Sequence, residues 1–143
     1  MNITRIAFAT VGSFVAYFVF GGVVFALVPS MKDEFAKYPA IYRDHDSIMK
    51  VMPAGMAAMF VALATLSVLY SMVYKGGSGV AEGARFGVLI GLFAVTSFVI
   101  HNWVNLNIGL RLTAIQSVVY FVQWVLMGVV IGLIYKPAIL SAK

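Results

Sequence analysis

Four long, almost charge-free apolar stretches fill this chain: Ile6–Val28, Val51–Tyr74, Phe86–Val104 and Leu112–Tyr135. A helix rises about 1.5 Å per residue, so ~20 apolar residues cross a hydrocarbon core of ~30 Å. Each stretch is near or above that length, which makes the bilayer the main solvent of the protein. The sequence predicts an all-α fold, an integral membrane four-helix transmembrane bundle. It reads as a single membrane domain over 1–143, with spans near 5–28, 49–74, 82–104 and 109–135 and a polar connector over 29–48.

Composition agrees. Hydrophobic residues are 62% and charged residues 10% of 143 residues, with a mean hydropathy of +0.98. Soluble domains lie near 45–50% apolar and about 25% charged. The formal charge of +5 does not point to a nucleic-acid partner. Arg5, Lys32, Lys37, Arg43, Lys50, Lys75, Arg85, Arg111, Lys136 and Lys143 stand at span ends or in loops, where basic side chains reach headgroups. They form no basic stripe interleaved with aromatics, so no nucleic-acid binding is expected. Cysteine is absent, which removes disulfides, thiolate metal sites and cysteine nucleophiles. The first apolar run, about 23 residues, is longer than a signal-peptide core of roughly 7–15, and no A-x-A-like site follows it. It is expected to remain as a span.

Local signals set the boundaries. Asn2 or Thr4 is placed to cap the first helix, and Pro29 to stop it. The connector holds Lys32, Asp33, Glu34, Lys37, Arg43, Asp44, His45 and Asp46, with Tyr38 and Tyr42 where interfacial aromatics belong; it reads as a loop on the membrane surface. Asp46 or Ser47 is positioned to cap the second helix. Pro53 falls in the early turns of that helix, where a missing N–H costs least. Lys75-Gly76-Gly77-Ser78-Gly79 is a tight turn; it lacks the phosphate-loop pattern and follows a helix. The third apolar run, Phe86–Ile100, covers only about 22 Å at helical rise. Its span therefore draws in Gly83–Arg85 at one end or His101-Asn102-Trp103 at the other. Basic residues divide five against five between the two membrane sides, while four of five acidic residues lie on the connector side. That excess favours cytoplasmic N- and C-termini.

Helices in lipid associate through close backbone approach, which small residues permit. Gly83, Gly87 and Gly91 repeat at four-residue spacing on the third span, Gly128 and Gly132 on the fourth, and Ala54, Ala58 and Ala62 on the second. These are the candidate packing positions, within one bundle or between protomers.

At 100° per residue His101 lies directly above Gly83, with Asn105 about 40° away. Thr113, Gln116, Tyr120, Gln123 and Trp124 share an arc of about 100° on the fourth span. Unpaired polar groups are costly in hydrocarbon, so this arc is expected to face the bundle interior. His101, Asn102, Asn105, Thr113, Gln116, Tyr120 and Gln123 are the candidates for a small polar cavity between the third and fourth spans; interhelical hydrogen bonding is the simpler reading of the same residues.

No Asp, Glu, Lys or Arg stands in mid-span, which argues against proton pumping or ion-coupled transport by a monomer. No acid–base carboxylate pair or Ser/His/Asp set stands inside the membrane, so no enzyme is expected. His45 and His101 are weak candidates for haem or metal, because His45 sits in a loop. Met49, Met52, Met56 and Met59 share one arc of the second span and, with His45, make a weak thioether copper candidate. No cofactor is expected.

The run Ala81-Glu82-Gly83-Ala84-Arg85-Phe86-Gly87, then Asn102, Asn105-Leu106-Asn107-Ile108-Gly109, Gly128 and Gly132, resembles a family of small bacterial four-helix inner-membrane proteins. Tyr38-Pro39 with Tyr42-Arg43 is a weaker echo. The resemblance implies a bacterial inner membrane and carries over no functional residue. The function expected first is a non-catalytic accessory or interaction subunit, whose partners are the lipid bilayer and other membrane subunits or a second copy. A binding or permeation protein for a small or lipophilic ligand is the alternative, and a haem or copper redox subunit the third reading.

Overall fold

A computed structural model describes residues 1–136; Pro137 and Lys143 lie outside the described residues. The described residues hold α1 (Ile3–Leu27), α2 (Pro29–Ala36), α3 (His45–Val73), α4 (Gly79–Ala94), a π-helical turn (Val95–Ile100), α5 (His101–Asn105) and α6 (Leu110–Tyr135). α4, the π turn and α5 run on as one rod, so four helices are long and apolar enough to cross a membrane. The protein is an all-α, multi-pass membrane bundle.

The helix ends follow the capping logic. The Asn2 side chain accepts a hydrogen bond from Arg5 N–H at 3.1 Å, and Ser78 caps α4. α3 starts earlier than expected, because Asp44 rather than Asp46 or Ser47 caps it, accepting from Ser47 N–H at 2.7 Å. That bond holds the exposed Asp44 carboxyl below the usual carboxylate range. Pro53 therefore lies two turns inside α3, which continues through it. In the connector, Pro29 ends α1 and then occupies the first turn of α2, where its missing N–H is harmless. Part of the expected loop is thus a short helix.

The centre of the bundle is the crossing of α4 and α6. Gly79, Gly83, Gly87 and Gly91 are all buried, and they meet α6 backbone at Gly132, Gly128 and Trp124 and the Phe121 ring. A methyl group on Gly87 would stand 2.7 Å from the Trp124 carbonyl oxygen; one on Gly128 would stand 2.6 Å from the Gly87 Cα. The expected glycine contacts lie within this one chain, and Gly79, read from sequence as part of the turn, joins them.

α1 packs on α6 and on α3, whereas α3 lies away from α4. α3 meets α1 through Leu63, Ser67 and Tyr70, not through the alanines. Ala54 and Ala58 are exposed, and Ala62 is half-buried at the edge of a cavity, so none of the three is buried in a helix contact. The bulky Phe14–Phe60 contact, with centroids 5.5 Å apart, bridges α1 and α3 instead.

At the turn-bearing end, Ala9, Tyr70, Ile131 and Tyr135 form a buried cluster. The Tyr70 ring stands edge-on to Phe86 at 5.4 Å and to Tyr135 at 5.9 Å. Its hydroxyl is buried without a hydrogen-bond partner among the described residues. An unmade buried hydrogen bond costs roughly 1–3 kcal/mol, so Tyr70→Phe is expected to raise the thermal midpoint in detergent by a few degrees. A lowered midpoint by calorimetry would show that the hydroxyl has a partner.

Candidate functional site

The separation of α3 from α4 leaves a cavity of about 610 Å³ between them, floored by α6 and by Tyr17 of α1. Met59, Ala62, Thr65, Leu66 and Leu69 supply the α3 wall; Ile90, Phe93, Ala94, Phe98 and Val99 supply the facing wall. Asn102, Gln116, Tyr120 and Trp124 complete it. Ligand sites of small molecules are typically ~300–1,000 Å³, mostly apolar, with a few placed polar groups. Phe93 and Phe98 are 63% and 60% exposed, so the cleft opens sideways, where the acyl chains of a bilayer would lie.

The π turn decides which side chains enter this cleft. Along α4 the buried positions run Gly79, Gly83, Gly87, Gly91 and Ala94, at intervals of four and three; the next, Val99, comes five residues later. A π turn holds one residue more than an α turn. Everything beyond it is therefore displaced by one position, and Asn102 takes the angular place that α-helical geometry assigns to His101. The Thr96 hydroxyl, donating to Leu92 O at 2.8 Å, and the Ser97 hydroxyl, donating to Phe93 O, sit within this turn.

Of the seven cavity candidates, Asn102, Gln116 and Tyr120 line the cleft and four do not. His101 and Asn105 are exposed and turned away by the π displacement; the Asn105 amide donates to His101 O at 2.8 Å. Thr113 is buried, but its hydroxyl bonds back to Gly109 O within its own helix. Gln123 is buried and donates to Tyr17 O at 3.3 Å, tying α6 to α1. Interhelical glue is thus the right description of Gln123 and not of Gln116. Tyr17, Phe93 and Phe98 were not singled out by sequence, because an aromatic in an apolar run carries no signal of where it faces.

Gln116 carries the outer end of the cleft. Its amide donates to the Tyr42 hydroxyl at 3.4 Å, a long bond that ties the connector to this lining residue. The connector is held there by several contacts. Tyr38 accepts from Gly109 N–H at 2.8 Å, and Phe35 meets the Tyr42 ring at 4.7 Å. Buried Glu34 pairs with Lys37 and lies 3.4 Å from Arg111 Nε. Deeper, the Tyr17 and Trp124 rings lie 6.0 Å apart. No hydrogen bond among the described residues engages the Tyr17 or Tyr120 hydroxyl, and the Trp124 indole N–H is buried without a partner.

Among the described residues no three His, Asp or Glu side chains gather as a metal cage. His45 and Met49 are exposed and Met52 is half-buried in the first turns of α3; only Met59 of the methionine arc reaches the cleft. Compared with known proteins, the chain matches no family model, no curated sequence and no solved structure.

Proposed function

We propose that the protein binds a lipophilic small molecule inside the bilayer, in the cleft between α3 and the α4 rod. One observation carries this reading: a ligand-sized cavity with largely apolar walls and a few polar side chains lies between α3 and the α4 rod and opens toward lipid. The polar tips are worth more here than in water, since nothing else in hydrocarbon satisfies them. For the accessory-subunit reading the glycine face is covered by α6, which leaves the methionine-bearing face of α3 as its docking surface.

Docking of another helix retains a second favourable feature, the exposed Ala54, Gly55 and Ala58 on α3. We further propose a bacterial inner membrane with both termini cytoplasmic, supported by the resemblance and by the acidic connector. Because the chain has no cysteine, single variants report topology cleanly. An impermeant maleimide applied to intact cells is expected to label Asp33→Cys and to spare Lys75→Cys; the opposite pattern reverses the orientation.

The binding test uses Trp124 as reporter in a Trp103→Phe background, in phosphocholine nanodiscs, with a neutral nitroxide-bearing lipophile as quencher. Quenching is expected to saturate, and to become linear and weak in Ala62→Phe or Thr65→Phe, either of which fills the cleft. A nitroxide lysolipid is expected to give only linear quenching. Saturation that survives both cavity-filling variants, each shown to unfold at an unchanged midpoint, would overturn the reading.

A further inference from the structure

We infer that the cleft takes a neutral planar ring with carbonyl oxygens on opposite edges and an apolar tail, a molecule of the quinone class. The inference rests on the binding reading above and specifies its ligand.

Charge comes first. No Asp, Glu, Lys, Arg or His lines the cleft. A carboxylate or phosphate buried here would have no cation to offset its desolvation, which excludes fatty acids and phospholipid headgroups. The ligand is neutral.

Hydrogen bonding narrows it further. The polar side chains among the lining residues can all donate: the Asn102 and Gln116 amides and the Tyr17 and Tyr120 hydroxyls. A ligand complementary to them presents oxygen acceptors. Gln116 and Tyr120 stand one turn apart on the same face of α6, about 6 Å along its axis. Two acceptors on opposite edges of one six-membered ring span such a gap. A long-chain alcohol has a single hydroxyl and answers only one of the two positions.

Shape agrees with this. Four aromatic rings line the cleft, Tyr17 and Trp124 with centroids 6.0 Å apart and Phe93 and Phe98 on the α4 rod, a lining suited to an aromatic or quinonoid ring. The volume exceeds that of one ring and leaves room for the start of a tail, which leaves past Phe93 and Phe98 into lipid.

The test titrates a short-tailed benzoquinone against the same Trp124 reporter in nanodiscs. Quinones quench indoles wherever they meet, so the decisive readouts are competition and variants. Saturable quenching is expected, and bound tritium-labelled benzoquinone, counted after capture of the protein, is expected to be displaced by unlabelled short-tailed naphthoquinone. An alkylbenzene and an alkanol of matched tail length are expected not to displace it. Tyr120→Phe and Gln116→Leu each remove one donor and are expected to weaken binding about tenfold. If the alkylbenzene competes equally, or both variants bind within about twofold of the parent, the ring-recognition inference is wrong. Should the nitroxide lipophile still saturate in that case, the binding reading stands and only the ligand class fails. If neither probe saturates, both fail.

Discussion

Gly87→Leu is expected to prevent the bundle from forming. The carbonyl oxygen of Trp124 would lie 2.7 Å from even the first added carbon, and the Val125 Cα equally near. Both obstacles are backbone, so no rotamer change on α6 relieves them. Overpacking a well-packed core commonly costs about 1–3 kcal/mol, and a clash with fixed backbone lies at or beyond the upper end. The loss is larger than in a soluble core, because lipid replaces a failed helix contact without a hydrophobic penalty to drive re-closure. The measurement is size-exclusion and thermal unfolding in mild detergent: the parent is expected as a single species with a cooperative transition, the variant as a broad or aggregated one. The control is Gly21→Leu. A methyl group at Gly21 meets nothing within 4 Å, so this change of the same size is expected to leave the midpoint within a few degrees. Equal stability of Gly87→Leu and the parent would mean that α4 and α6 do not pack through their backbones.

That contact was readable in the sequence because four-residue glycine spacing has one physical use in lipid, the close approach of two helices. The four spans were readable for an equally simple reason, the length of apolar chain that a bilayer demands. The alanines at 54, 58 and 62 had the same spacing, yet the first two are exposed and the third faces the cleft, since spacing gives the periodicity of a face without naming the partner it meets. The cleft was half legible. Gln116 and Tyr120 stand out as polar groups in apolar surroundings, and the cost of exposing them to lipid turns them inward; Asn102 reaches the cleft from an exposed position at its rim. The same cost cannot choose between a cavity and the α1 backbone, which is why Gln123 went to the latter. His101 and Asn105 were misplaced for a single reason: a 100° step was carried through a turn that holds an extra residue. Val95–Ile100 is apolar on nearly every side, so its sequence shows no break in periodicity where the backbone makes one. Thr96 and Ser97 are the one local sign, as hydroxyls that bond back to the preceding turn loosen the α pattern.

The π turn makes the second large prediction, a contrast between two single-residue deletions on one rod. Both residues are exposed, so neither removes a core contact. Deleting Ser97 takes out the extra residue that the π turn accommodates. The segment then closes as ordinary α-helix, Gly79–Ala94 below it and Val99–Asn102 above it keep their faces, and the rod shortens by about 1.5 Å. Deleting Leu89, in regular α-helix, has no such slack to absorb it. It turns one side of the cut by about 100° against the other, so Gly79, Gly83 and Gly87 leave the α6 face if Gly91 stays on it. The Ser97 deletion is expected to fold, with a midpoint within a few degrees of the parent, and to keep Asn102 at the cleft; a cysteine at 102 should then react with a lipophilic maleimide as it does in the full-length chain. The Leu89 deletion is expected to lose the cooperative transition altogether, a cost of several kcal/mol from three displaced glycine contacts. If the two deletions behave alike, the α4 rod holds no extra residue, and His101 returns to the face above Gly83.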